Sequence, residues 1–301
     1  MRLDMGGHLT HGSPMNFSGK HYKVAAYGVC KDTHLIQEEE VRALALEHKP
    51  KMIIAGASAY PRKIDFEMFK RVADEVGAYL MSDIAHYAGL IAAGEYPSPF
   101  PYSDAVTTTT HKTLRGPRSG VIMCKKEHLK KLNKAVFPGL QGGPHMHTIA
   151  AKAVAFKEAA TPEFKQYAKD VIANARELSA KLTEAGFSIV SGGTDSHIVL
   201  VDVRPAGING KIAQETLDKV GVTGNKNTIP FDPEPPLIGS GIRLGTPALT
   251  TRGMGISEMG VIADIIKRTL ASYEDENTLK GIRKEVIEFS KQFPLYSHKL
   301  I

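Results

Sequence analysis

Short apolar or β-branched runs alternate with longer amphipathic stretches through the first half of this chain, and that alternation constrains its fold more than any other feature. Gln37 to His48 reads as a helix with Val41, Leu44 and Ala45 on one face, followed by the run Met52-Ile53-Ile54-Ala55. Ile64 to Val76 reads as a helix with Phe66, Phe69, Val72 and Ala73 inward, and Ala78 to Met81 as a buried strand that stops at Ser82-Asp83. Ala105 to Thr110 and Gly120 to Cys124 are two further strand-like runs. Strands joined by helical crossovers predict an α/β fold. Ligands of open α/β sheets bind beyond the carboxyl ends of the strands. Ser58, Asp83, His86, His111 and Lys112 all fall just past such ends.

The texture changes after Pro144. His147 to Ala160 and Thr161 to Gly186 read as long helices, with Thr161 as cap and Pro162 at the first helical position. Phe187 to Val190 and Ile198 to Val203 read as strands, and Lys211 to Val220, Met259 to Tyr273 and Asn277 to Phe293 as helices. We therefore expect a large domain over 1–162 and a smaller C-terminal α+β domain over 163–301. Asn225 to Ser240 carries Pro230, Pro233, Pro235 and Pro236 with few Gly or Ser, and reads as an ordered loop.

Composition removes several function classes. The chain has 301 residues, 42% of them hydrophobic and 23% charged, enough for substantial cores and against disorder. The net charge is +6, but basic and acidic residues alternate, so no basic face points to a nucleic-acid partner. Cys30 and Cys124 sit in no metal-ligand spacing, which predicts no metal site and reduced thiols. No apolar run approaches the ~18 residues of a membrane span, and the N-terminus has no apolar leader. A cytoplasmic, membrane-free protein is the expectation.

The most informative stretch is TTTTHKTLRGPRSG, residues 107–120. A lysine at a strand end is ordinarily a solvated terminus. Here Arg115 and Arg118 lie close in sequence, and their charges would favour the neutral, nucleophilic form of Lys112 that a Schiff base requires. The residues allow an amine nucleophile without requiring one.

That stretch, together with GGHLTHG (6–12), VFPGLQGGP (136–144), SGGTD (191–195) and GIRLGTPALTTRG (241–253), resembles the serine hydroxymethyltransferase family, in the family's order and over essentially the whole chain. The resemblance implies a pyridoxal 5′-phosphate (PLP)-dependent transferase of aspartate-aminotransferase fold type I, interconverting serine and glycine with tetrahydrofolate as one-carbon acceptor. Lys112 would hold the cofactor covalently, and Asp83 of SDIAH would pair with the ring nitrogen and keep it protonated. His86 and Ser58 would approach the phenolic oxygen, and His8 would stack on the ring. Arg243 would grip the substrate carboxylate, where a guanidinium fork supplies orientation as well as charge. Gly142 and Gly143 would reach the phosphate in a neighbouring subunit, implying a homodimer. Leu3, Gly7, His8, Leu9 and Asn227 lie where the family contacts folate.

Each assignment has a plainer competitor. Asp83 can simply cap the next helix, Gly142-Gly143 can be a bare turn, and Leu3 and Leu9 otherwise read as core. His11, His21, His34, His48, His128 and His298 read as surface or satisfied structural groups without a role. The chain also departs from the family pattern at Asp4-Met5, Ser196 and Pro235-Pro236-Leu237, the last in the folate-facing loop. It begins at the family's GGHLTHG region, so the Ser-Gly phosphate cup, an acidic proton-handling residue and a dimerisation arm are expected to be missing. Two alternatives stay open on these grounds: a truncated, catalytically impaired member of the family, and a folate-independent 3-hydroxy-amino-acid aldolase.

Overall fold

The computed structural model describes residues 1–296, and His298 lies outside them. A short helix α1 (Phe17–His21) precedes α2 (Glu38–His48), strand β1 (Met52–Gly56), α3 (Phe66–Val76) and β2 (Tyr79–Asp83). Helix α3 shows why these residues fold locally. The Asp65 carboxylate accepts from Met68 N at 2.9 Å, Phe66, Phe69, Val72 and Ala73 are buried, and Gly77 ends the helix at φ 67°. The cap satisfies a free N–H, and the left-handed stop suits glycine.

After β2 come α4 (Ala88–Ala92), β3 (Ala105–Thr109), β4 (Gly120–Cys124), α5 (Leu129–Lys134) and α6 (Met146–Ala159). The first sheet has the order β1-β2-β3-β4. β1, β2 and β3 are parallel, and β3 pairs antiparallel with β4. The expected α/β class with a mixed sheet is observed. One detail differs: β2 is not buried on both faces, because Leu80 and Ser82 are fully enclosed whereas Tyr79 is 53% exposed. The strand has the period-2 pattern of a sheet with one face packed.

Helix α7 (Pro162–Glu184) starts where Thr161 Oγ1 accepts from Phe164 N, with Pro162 in the first turn as expected. It packs into two cores. Phe164, Ala168, Val171 and Ile172 join the core of the first sheet, and Ala175, Leu178 and Leu182 join that of the second. Beyond it follow β5 (Ser188–Ile189), β6 (Ile198–Asp202), α8 (Gly210–Val220), β7 (Asn225–Asn227), β8 (Gly241–Gly245), α9 (Pro247–Thr251), α10 (Ile256–Ala271) and α11 (Glu276–Lys291). The second sheet is antiparallel with order β5-β6-β8-β7.

The stretch expected to be all loop, Asn225 to Ser240, begins with strand β7. Its remainder closes around Asp232, whose carboxylate accepts from the backbone N–H groups of Ile229, Glu234 and Ser240 and from the Ser240 hydroxyl. Four donors on one carboxylate give this proline-rich segment its order. No helix among the described residues is long and apolar enough to cross a membrane.

Candidate active site

The carboxyl ends of β1, β2 and β3 converge, as parallel strands require, and each delivers one polar group. Asp83 closes β2 opposite Gly56 of β1. A Cβ at Gly56 would stand 2.4 Å from the Asp83 carbonyl, so only glycine lets the strands approach there. Asp83 Oδ1 accepts from Ala85 N at 3.0 Å within the turn after the strand, but it does not cap helix α4, whose N-cap is Tyr87. Its Oδ2 lies 2.7 Å from His11 Nε2. A carboxylate only accepts, so the imidazole donates. Burial would lift the Asp83 pKa, but the His11 bond and the Ala85 N–H outweigh it and hold the group below the carboxylate range. His11 is therefore not a surface histidine. Its side chain is 4% exposed and belongs to this cluster.

Lys112 follows β3 in a tight turn. Arg115 N donates to Lys112 O at 2.9 Å and Gly116 N to Thr110 O at 2.7 Å, while Thr110 Oγ1 donates to Pro117 O at 2.6 Å. Burial pulls the Lys112 pKa down. Asp83 opposes that shift, and Arg243 and Arg118 reinforce it. The expectation for Arg115 fails: its guanidinium stacks over the Tyr167 ring at 4.5 Å and does not act on Lys112. Its place is taken by Arg243, which the tertiary fold brings in from β8.

The Gly6-Gly7-His8 segment docks on the end of β1, where Gly6 O accepts from Ser58 N at 2.8 Å and Ala59 N at 3.0 Å. A Cβ on Gly7 would collide with Met1 O at 2.2 Å. His8 Nδ1 accepts from Thr10 N at 3.2 Å, and its ring lies 5.7 Å from that of His11. Burial lowers the His8 pKa, as do the charges of His11 and Lys112. The Ser58 hydroxyl and His111 Nδ1 are buried with no hydrogen-bond partner among the described residues. Such orphans suit a ligand.

Arg243 Nη1 donates to Ser58 O at 2.9 Å, joining the second sheet to the loop after β1. His86 is half-buried, and desolvation with the Lys112 charge depresses its pKa to about 2, so the ring is neutral. Its ring stacks on His197 at 5.9 Å with 14° between planes. The Thr113 hydroxyl holds the His86 carbonyl at 2.8 Å. His197, fully enclosed and pushed to about 3 by burial and then Arg243, went unnoticed in the sequence because nothing local distinguishes it. Only the pairing of two sheets brings it over His86.

The structure thus assembles Lys112, Asp83, His86, His8, Ser58 and Arg243, and adds His11 and His197. Other expected residues lie apart from them. Gly142 and Gly143 are exposed with no neighbouring atom near their Cβ positions. Leu3 and Leu9 are 52% and 47% exposed, so the core reading fails for both. Asn227 ends β7 opposite Gly241 and donates to Thr228 O. No cluster of three or more His, Cys, Asp or Glu side chains among the described residues is placed to hold a metal.

A half-buried amine within electrostatic reach of an ionised carboxylate, with a guanidinium and neutral imidazoles around them, is an arrangement for binding an anionic, electrophilic ligand. The family model for serine hydroxymethyltransferase matches residues 1–266, a span that contains every residue of this cluster, and the chain belongs to that family.

Proposed function

We propose that this chain uses PLP to interconvert serine and glycine, with tetrahydrofolate as the one-carbon acceptor. The observation that carries the reading is Lys112, its amine pushed toward the neutral form by burial while the Asp83 carboxylate stays ionised within its electrostatic reach. The residues fit the cofactor. Lys112 offers an amine to its aldehyde, Asp83 a fixed negative charge for its ring nitrogen, and the orphaned Ser58 hydroxyl a donor for its phenolic side. His8 offers an imidazole face from the docked glycine segment. When bound, PLP supplies an electron sink for the bond broken at the substrate Cα.

The chain's own groups then do the positioning. Arg243, half of whose fork is tied to Ser58 O, presents its remaining N–H groups to the amino-acid carboxylate. His86 stays neutral near the reacting centre and so adds no competing positive charge there. Asp83 keeps its charge through both half-reactions because His11 and Ala85 N–H hold it ionised.

Folate is assigned to the exposed apolar side chains of Leu3 and Leu9, together with Gly7, His8 and Asn227. A second copy of the chain is assigned to the face around Gly142-Gly143, where Phe137, Leu140 and Met146 are 61%, 77% and 69% exposed, an apolar patch that a partner subunit would cover. In this reading residues 1–162 hold the cofactor and 163–301 bring the substrate-binding Arg243.

The test is to add PLP, reduce with borohydride and map the modified peptide. A single adduct on Lys112, with serine-dependent one-carbon transfer to tetrahydrofolate, is expected; an adduct on another lysine overturns the assignment.

A further inference from the structure

The SGGTD motif, residues 191–195, takes no part in the site described above, yet its contacts are among the most heavily bonded between the two halves of the chain. The Arg62 guanidinium donates from Nη2 to Ser191 O at 2.6 Å and from Nε to the same oxygen at 3.1 Å. Its Nη1 reaches Asp195 Oδ1 at 3.4 Å. The backbone closes the clasp from both sides. Asp195 N donates to Pro61 O at 3.0 Å, the Thr194 hydroxyl to the same carbonyl at 3.2 Å, and Lys63 N to Asp195 Oδ2 at 3.4 Å.

The local conformation of the motif follows from this grip. Ser191 sits at φ 59° and Gly192 and Gly193 at 69° and 147°, a run that brings three successive peptides round the guanidinium. A Cβ on Gly193 would stand 3.4 Å from Arg62 Nη2, in ordinary van der Waals contact, so the cost of a side chain there is the strain of its positive φ. On the other side the Arg62 carbonyl accepts from Tyr96 OH at 2.9 Å, and Tyr96 stacks on Tyr87 at 4.6 Å. Tyr87 OH in turn donates to Tyr60 O at 2.7 Å. The loop from 58 to 63 is therefore fixed at nearly every residue.

Ser58 stands at the start of that loop, and its carbonyl is the acceptor for Arg243. Where Ser58 O sits decides how the Arg243 fork is turned. We propose that Arg62 is a positioning residue: by clasping the SGGTD turn it sets the Ser58 carbonyl against Arg243, and so aims the guanidinium at the carboxylate of the amino-acid substrate. This rests on the assignment of Arg243 to the substrate carboxylate made above. The hydrogen bonds of the Arg62 side chain go to Ser191 and Asp195. A bidentate fork tolerates little rotation, so a shift of about an ångström at the carbonyl weakens carboxylate binding severalfold or more.

The experiment compares the wild-type chain with R62M and R62K by measuring PLP affinity from absorbance, glycine affinity by calorimetry on the PLP-loaded protein, and KM and kcat for serine. In R62M we expect glycine affinity and serine KM to worsen roughly tenfold, with PLP affinity and kcat within about twofold. R62K, which keeps one donor for Ser191 O, recovers part of the loss. Should R62M fold poorly, D195N serves as a milder variant that loosens only the Asp195 side of the clasp; its expected effect is in the same direction and smaller. Glycine affinity unchanged in variants that lose thermal stability would overturn the proposal, as would parallel losses of glycine and PLP affinity, which mark general loosening. A wild-type chain that binds PLP on Lys112 but does not respond to glycine refutes the Arg243 assignment, and the positioning role with it. Wild-type binding with R62M indistinguishable from it refutes the positioning role alone.

Discussion

His11 Nε2 and Asp83 Oδ2 are 2.7 Å apart across 72 residues of sequence, and the imidazole is almost wholly enclosed against the carboxylate. The donor is what offsets the burial of Asp83. In H11F the carboxylate loses its charge-assisted hydrogen bond, worth about 1.5–3 kcal/mol, and its pKa rises. PLP affinity is expected to fall by about ten- to a hundredfold over the same range. Titrating the cofactor absorbance in both proteins checks this, and equal affinities would show that His11 does not support Asp83.

Acid stability follows from two desolvated imidazoles. His86 and His197 are held at about 2 and about 3 in the fold, against an ordinary 6.5, with burial as the main cause. Folded values below the unfolded value mean that the unfolded chain takes up protons that the folded chain refuses. Their contribution is complete above pH 6.5 and is lost as the pH falls toward 3. Each group steepens the decline by up to about 1.4 kcal/mol per pH unit. Denaturant melts from pH 7 to pH 4 should therefore show falling stability, and H197F, which keeps a ring over His86, should flatten the slope.

The two arginines after Lys112 are predicted to behave differently. R118M removes a repelling charge, so the pH midpoint for amine labelling of Lys112 should rise. R115M should leave that midpoint unchanged and cost about 0.5–2 kcal/mol in thermal stability through loss of the stack on Tyr167. Mass-spectrometric labelling across pH reads the first effect and calorimetry the second.

Gly56 is a steric requirement of the same site. In G56A the new methyl group would lie 2.4 Å from Asp83 O and 2.9 Å from its Cβ, forcing β1 away from β2. The variant should lose about 1–3 kcal/mol of stability and bind PLP less tightly than G77A, whose Cβ would meet nothing within 4 Å. G77A carries its own backbone strain at φ 67°, so comparable stability losses with unequal cofactor affinity are the expected pattern.

Much of the fold was legible in the chain. The helix ending at Val76 announced itself by its apolar spacing, and the strand Gly120–Cys124 by its run of apolar residues. Strand β7 was not, since Asn225-Lys226-Asn227 has no apolar alternation and is a strand only because β8 supplies its hydrogen bonds. The positions past the strand ends were legible too, because parallel strands bring their carboxyl ends together whatever the details. Local pattern thus determined most of the elements, the place of Lys112 past a strand end and the family motifs.

Tertiary structure alone decided which charges meet. Arg115, three residues from Lys112, turns away to Tyr167, whereas Arg243 arrives from the other sheet to lower the Lys112 pKa. His11 reads like any other histidine until the docked glycine segment lays it against Asp83, and His197 until β6 sets it over His86. Periodicity records how each element faces its own core, and it carries no information about the orientation of one sheet against another. Electrostatic coupling depends on distances through space, and those exist only once the two halves have closed.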